Sequence, residues 1–183
     1  MWVRHSQTKT LLSYLAMAGG IAVFSLLAPT LPHQLLKAYL RHKRFARKKF
    51  LQDIRRLQQR DLLESRALSD GSVEVKLLKR GKREMLRYKV EDIRVQKPAR
   101  WDGLWRLVMF DIPNHKSRAR RAFQAKLREV GFYPLQKSVL IHPFPCEKEI
   151  DFLASFFHVG NHLLVLHVSR FEGEEKLKHH FHI

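Results

Sequence analysis

Trp101-Asp102-Gly103-Leu104-Trp105-Arg106-Leu107-Val108-Met109-Phe110-Asp111-Ile112-Pro113 is the stretch on which the fold turns. From Trp105 to Ile112 the run is largely apolar, which suits a central strand buried on both faces. Pro113 stops it. Asn114 is a candidate cap for a helix over His115 to Val130, with Ala119, Phe123, Leu127 and Val130 as its inner stripe. Gly131 then suits the left-handed position just past a helix end. Tyr133 to Pro143 has room for one or two strands. Cys146 or Glu147 opens a second helix with Ile150, Leu153, Phe156 and Phe157 as its core face, and Gly160 is expected to end it. His162 to Val168 reads as the last long strand and Glu174 to Phe181 as a short terminal helix. Strand–helix–strand–strand–helix–strand is the order of the ferredoxin-like sandwich.

Upstream, Lys97-Pro98-Ala99-Arg100 reads as a linker, because proline removes a donor and biases Lys97 away from helix. The chain thus divides into residues 1–96, a linker at 97–100 and residues 101–183. In the first part, Leu63 to Ser69 faces Ser72 to Leu78 across Asp70-Gly71, a pair that two-residue hairpin turns favour. Val73, Val75 and Leu77 alternate with Glu74 and Lys76, as in a half-buried strand. Before the hairpin, Phe50, Ile54 and Leu57 follow helical spacing in a helix expected from about Arg44 to Leu62. A shorter helix, His33 to about His42, precedes it with Leu35, Leu36, Tyr39 and Leu40 as its apolar face. Leu11 to Leu31 carries no charge, and it reads as the first helix and turn of this domain. The alternative is a membrane anchor, which Gly19-Gly20, Ser13, Ser25 and Pro29 interrupt. Helix, helix, basic helix and hairpin is the order of a winged helix-turn-helix. The expected fold class is therefore α+β: an N-terminal winged helix followed by a ferredoxin-like βαββαβ domain.

The charge balance names the class of partner. In 183 residues there are 35 Lys+Arg against 17 Asp+Glu, a formal net charge of +18. A domain this basic repels itself when compact, and a polyanion is the simplest counterpart. Lys37 to Arg60 holds ten Lys/Arg and one acid, Asp53. A surface helix that is merely solvated interleaves both signs. Arg44, Arg47, Lys48, Lys49, Gln52, Arg55 and Arg56 are accordingly the candidate contacts to double-stranded DNA, with Lys79, Arg80, Lys82, Arg83 and Arg87 continuing the basic surface. Lys116, Arg118 and Arg121 form a second basic patch on a helix without an acid before Glu129. The one cysteine, Cys146, excludes an internal disulfide and a paired-cysteine zinc site. No Gly-rich phosphate loop or Ser/His/Asp set is visible. The histidines of Lys178-His179-His180-Phe181-His182 suit at most adventitious metal binding.

Several motifs recur in a recognisable order: Trp101 to Arg106 running into Val108 to Pro113, then Gly131-Phe132-Tyr133, Leu135-Gln136-Lys137-Ser138-Val139 and Pro143-Phe144-Pro145-Cys146-Glu147. Over about Trp101 to His167 they resemble the central domain of PaaX-type transcriptional repressors. That domain is itself similar to the CRISPR-associated endonuclease Cas-two. The N-terminal half resembles the PaaX winged helix more loosely.

The resemblance implies a cytoplasmic, homodimeric DNA-binding transcriptional regulator that needs no cofactor. PaaX repressors carry a further C-terminal domain linked to acyl-CoA sensing. The sequence stops at Ile183, so no such effector domain and no small-molecule effector are expected. The alternative is a Cas-two-like, Mg²⁺-dependent endonuclease. In that family a matching aspartate from each of two subunits is proposed to hold the metal, which places the role on Asp111. Beside it stands the plainer expectation that Asp111 accepts backbone N–H bonds at the start of the next helix, and the sequence favours binding over catalysis.

Overall fold

The computed structural model describes residues 3–24 and 47–183, with side-chain surroundings for 9–22 and 51–183. The helix expected at His33 to His42, and Arg44, lie outside the described residues. The chain forms two compact units, Met1–Glu91 and Asp92–Ile183.

In the first unit, α1 (Val3–Met17) leads through Gly19 and Gly20 into strand β1 (Ile21–Phe24). Leu11, Leu12 and Leu15 line the buried side of α1, one helical turn wide. Gly19 and Gly20 take φ of 76° and 89°, and their N–H groups bond back to the carbonyls of Ala16 and Leu15. This left-handed cap ends the helix well inside the uncharged run. The expectation of one helix and turn over Leu11 to Leu31 is thereby corrected as far as Phe24; residues 25–31 lie outside the described residues. Ile21, Val23 and Phe24 suit a strand, and β1 gains its ladder from β3. Among the described residues no helix is long and apolar enough to cross a membrane.

Helix α2 (Arg47–Gln59) then precedes the hairpin β2 (Leu63–Ala67) and β3 (Val73–Leu77), which pair in antiparallel register from Leu63↔Leu77 to Ala67↔Val73. The three strands form a sheet in the order β1-β3-β2. The turn differs from the two-residue form expected. Gly71 N–H bonds to the Leu68 carbonyl at 3.1 Å, and only Gly71, at φ 76°, is left-handed; Asp70 is not. A two-residue type I′ turn needs positive φ at both positions, so the loop is longer by one residue on the β2 side. The Asp70 carboxylate braces it by accepting from the N–H and hydroxyl of Ser72, and these bonds hold its pKa below the usual range.

The stretch expected only as basic surface is a helix, α3 (Lys79–Asp92). Gly81, Met85 and Tyr88 recur at its buried side. They close a core of Leu11, Leu12, Leu15, Ile54, Leu57, Leu62, Leu63, Val75 and Leu77.

The second unit has β4 (Trp105–Phe110), a 3-10 turn (Asn114–Lys116), α4 (Ser117–Val130), β5 (Tyr133–Gln136) and β6 (Val139–His142). It continues with α5 (Glu147–Phe156), a second 3-10 turn (Gly160–His162), β7 (Leu163–Val168) and α6 (Glu174–Phe181). The sheet order is β5-β6-β4-β7, with every neighbour antiparallel. Central β4 is covered on one face by α4 and on the other by α6, which suits a strand that is apolar on both faces apart from Arg106. Phe123 of α4 packs edge-on against Phe110, and Leu127, Ile150 and Leu153 are buried. The opposite face of the sheet is covered by α6, where Leu177 meets Trp105 and Ile141.

Gly131 ends α4 at φ 112°, as expected, with its N–H on the carbonyls of Arg128 and Leu127. Two local expectations fail. Asn114 caps no helix; it opens the 3-10 turn, and α4 begins after Lys116 without a side-chain cap. Gly160 does not end α5 either. His158, at φ 56°, makes the left-handed bend after Phe157, and Gly160 starts the next turn.

Candidate nucleic-acid interface

Helix α2 sorts its residues by face. Ile54 and Leu57 are buried, while Gln52, Arg55, Arg56 and Gln59 are exposed on the far side, at the i, i+3, i+4, i+7 spacing of one stripe. Lys48 and Lys49 precede Gln52 by one turn of the same helix, and Arg47 is its first residue. Asp53, the single acid, lies 3.7 Å from Arg56. Its other carboxylate oxygen is buried without a hydrogen bond among the described residues. A half-exposed pair at this length contributes at most a few tenths of a kcal/mol, so Arg56 remains available to a phosphate.

The second basic patch is split. Arg118 and Arg121 are exposed on α4. Lys116 is tied down: its Nζ lies 3.2 Å from the His158 carbonyl and 3.2 Å from His162 Nε2. It pins the turn before β7 to the start of α4. Arg120 likewise serves the fold, donating to the Ile112 carbonyl.

Asp111 lies just past β4. Its N–H donates to the His162 carbonyl at 3.0 Å. Its side chain is exposed, and among the described residues its carboxylate accepts no hydrogen bond and makes no ion pair. The expectation that it accepts backbone N–H bonds is corrected, since the unsatisfied donors at the start of α4 lie beyond the intervening 3-10 turn. No group of three or more His, Cys, Asp or Glu among the described residues is arranged to hold a metal ion.

The recurring motifs meet at the other end of β4. Arg106 is buried, and its Nη1 reaches Asp102 Oδ1 at 2.8 Å, the Leu104 carbonyl at 2.7 Å and the Pro143 carbonyl at 3.0 Å. Its Nη2 donates to Asp102 Oδ2, and its Nε to Glu147 Oε1 at 3.2 Å. Glu147 also meets His167 Nε2 at 2.7 Å and accepts from the Cys146 N–H. Hydrogen bonds from Arg106 hold the Asp102 pKa down to about 2. Burial pushes Glu147 upward, but its bonds to His167, the backbone and Arg106 outweigh that and leave it at about 2. Trp101 Nε1 caps the cluster on the carbonyls of Pro143 and Leu104. The buried Arg106 is fully matched, so the cluster fixes the strand ends. Sequence reasoning quoted these residues but did not foresee their pairing.

A four-stranded antiparallel sheet with two crossover helices on one face defines the second unit as an α+β domain of ferredoxin-like build. Within that class it is similar to one known family: residues 98–179 match the family model of the PaaX protein central Cas2-like domain. The resemblance carried by the motifs from Trp101 onward holds over this stretch. Comparison with curated proteins returns no match.

Proposed function

We propose that the chain is a DNA-binding transcriptional regulator of the PaaX type, acting in the cytoplasm as a homodimer. In this reading the first unit is a winged helix, α2 is its recognition helix and the β2–β3 hairpin is its wing. The observation that carries the reading is the stripe of Gln52, Arg55, Arg56 and Gln59, set opposite the buried Ile54 and Leu57 immediately before a hairpin. Side chains of this kind position a helix on phosphates and read base edges in the major groove. The sheet order β1-β3-β2, with α1 before β1 and α2 before β2, supports it. A homodimer presents two such helices, which fits a two-fold-related operator. The edge strand β7, with Leu164 and Leu166 exposed, supports pairing of two copies.

Titration of labelled duplex DNA across a salt series tests this reading. Affinity is expected to fall steeply with salt, and Arg55→Gln/Arg56→Gln to weaken binding. A flat salt response sinks the regulator.

One observation keeps a second reading, a Mg²⁺-dependent endonuclease: the exposed carboxylate of Asp111, unpartnered among the described residues. Two such carboxylates from two subunits would hold the metal, which would activate water for phosphodiester hydrolysis. Cleavage with Mg²⁺ that chelator and Asp111→Ala both abolish would establish it. Intact DNA under both conditions removes it.

A further inference from the structure

We infer that the solvent face of α3 is a second phosphate-contacting surface, which takes the backbone of the same duplex that α2 engages. The inference rests on the DNA-binding reading above. Lys79, Arg80, Lys82, Arg83, Arg87 and Lys89 are all exposed on α3. Among the described residues only two of them are in ion pairs, Arg80 with Asp61 at 3.7 Å and Arg87 with Glu84 at 3.5 Å. Both pairs are long and solvated, so neither neutralises the face. Glu84 is half-buried beside Tyr88, and Glu91 and Asp92 stand at the far end of the helix. The face therefore lacks the interleaved acids of a helix that only solvates itself.

Fold stability does not explain these cations. The first turn of α3 has no acid and carries Lys79, Arg80 and Lys82. Cations at the positive end of a helix are unfavourable by about 0.3–1 kcal/mol each. An anion laid across them reverses that sign.

The first turn of α3 is also held against the backbone that follows α2. A Cβ on Gly81 would stand 2.0 Å from the Leu62 carbonyl oxygen, so helix and backbone are in direct contact three residues after α2 ends. The same carbonyl accepts from Leu78 N–H at 3.1 Å, and Leu78 in turn accepts from Lys82 N–H at 2.9 Å. The Arg80–Asp61 pair spans the same junction. The first turn of α3 is thus anchored at the C-terminal end of α2. A duplex seated on α2 would have its backbone met by this cationic face, and phosphate is the group that suits it, because exposed Lys and Arg side chains without fixed hydrogen-bond partners read charge and not sequence.

The experiment compares full-length wild type, Lys79→Gln/Arg83→Gln and Arg55→Gln/Arg56→Gln on a labelled random-sequence duplex over a salt series, with circular dichroism on each. Loss of two phosphate contacts lowers the slope of log affinity against log salt by about 2. Lys79→Arg/Arg83→Lys, which keeps both charges, retains the wild-type slope. An unchanged slope in Lys79→Gln/Arg83→Gln, with loss in the α2 pair, overturns the inference and leaves the regulator reading standing. The charge-conserving pair losing as much as the glutamine pair also overturns it. Salt-independent binding by wild type overturns both.

Discussion

Arg106 and Asp102 form a two-pronged pair in which the arginine is buried and the carboxylate is only partly so, with side-chain exposures of 5% and 39%. The buried cation is the vulnerable partner. It is matched by two carboxylates and two backbone carbonyls, and it ties the approach to β4 to the start of α5. Arg106→Met removes the cation and leaves Asp102 and Glu147 facing each other. Breaking a fully buried pair costs about 3–5 kcal/mol. Here both carboxylates reach water, so a loss of about 2–3 kcal/mol is expected, read from the urea midpoint. Asp102→Asn keeps one acceptor and Glu147 in place, and its loss should be smaller. A midpoint within error of wild type for Arg106→Met would show the cluster to be ornamental.

His142 predicts how stability depends on pH. Its ring lies among Phe132, Phe144 and Phe181, and its Nδ1 accepts from the Phe144 N–H at 3.1 Å. Burial, with a smaller push from Arg106, lowers its pKa to about 4. An unfolded histidine titrates near 6.5. Unfolding therefore takes up a proton between about pH 6.5 and pH 4, and stability falls as pH drops through that window. The full effect is about 3 kcal/mol, present above the window and lost below it. Asp102 and Glu147, held at about 2, give up their share as pH falls from the ordinary values of 3.8 and 4.5 toward about 2. His142→Phe should flatten the melting temperature between about pH 7 and pH 4. An unflattened profile assigns the pH dependence to another group.

The second unit was legible in sequence because its signals are local. Phe123, Leu127 and Val130 announce α4 by their spacing, and Gly131 announces its end. The first unit hid two elements. Strand β1 sits inside a continuous uncharged run, and what makes Ile21–Phe24 a strand is its ladder with β3, some fifty residues away. The signal that could have found it was Gly19-Gly20 read as a cap followed by Ile21, Val23 and Phe24. Helix α3 was masked by its own charges and by Gly81, a poor helix former. Met85 and Tyr88, three apart, were its apolar trace. The Arg106 cluster had no local signature. Arg106 is 41 residues from Glu147, and Glu147 is 20 from His167. Only the co-occurrence of the motifs pointed there.

Cys146 is expected to be inert in the folded protein. It is 1% exposed, and burial together with the Glu147 charge pushes its thiol up to about 12. The thiolate is the nucleophile, so a thiol this high scarcely reacts at neutral pH. Iodoacetamide should label wild type only in denaturant, with the labelling transition tracking loss of the second unit's structure. Prompt stoichiometric labelling under native conditions would place Cys146 outside the core.

Gly81→Ala tests the junction on which α3 depends. The new methyl would fall 2.0 Å from the Leu62 oxygen and 2.7 Å from Leu77 Cδ1. The side chain of Leu77 could give way; the Leu62 carbonyl could not without losing the Leu78 N–H it accepts. Alanine is the better helix former by about 1 kcal/mol, so propensity alone predicts stabilisation. Backbone overlap should win, with a net loss of about 1–3 kcal/mol. The expected result is a lower urea midpoint and a weakened α3 contribution to duplex binding, as the helix shifts off its anchor. A stabilised Gly81→Ala would mean that α3 sits further from Leu62 than the close contact described, and the fixed α2–α3 geometry would fall with it.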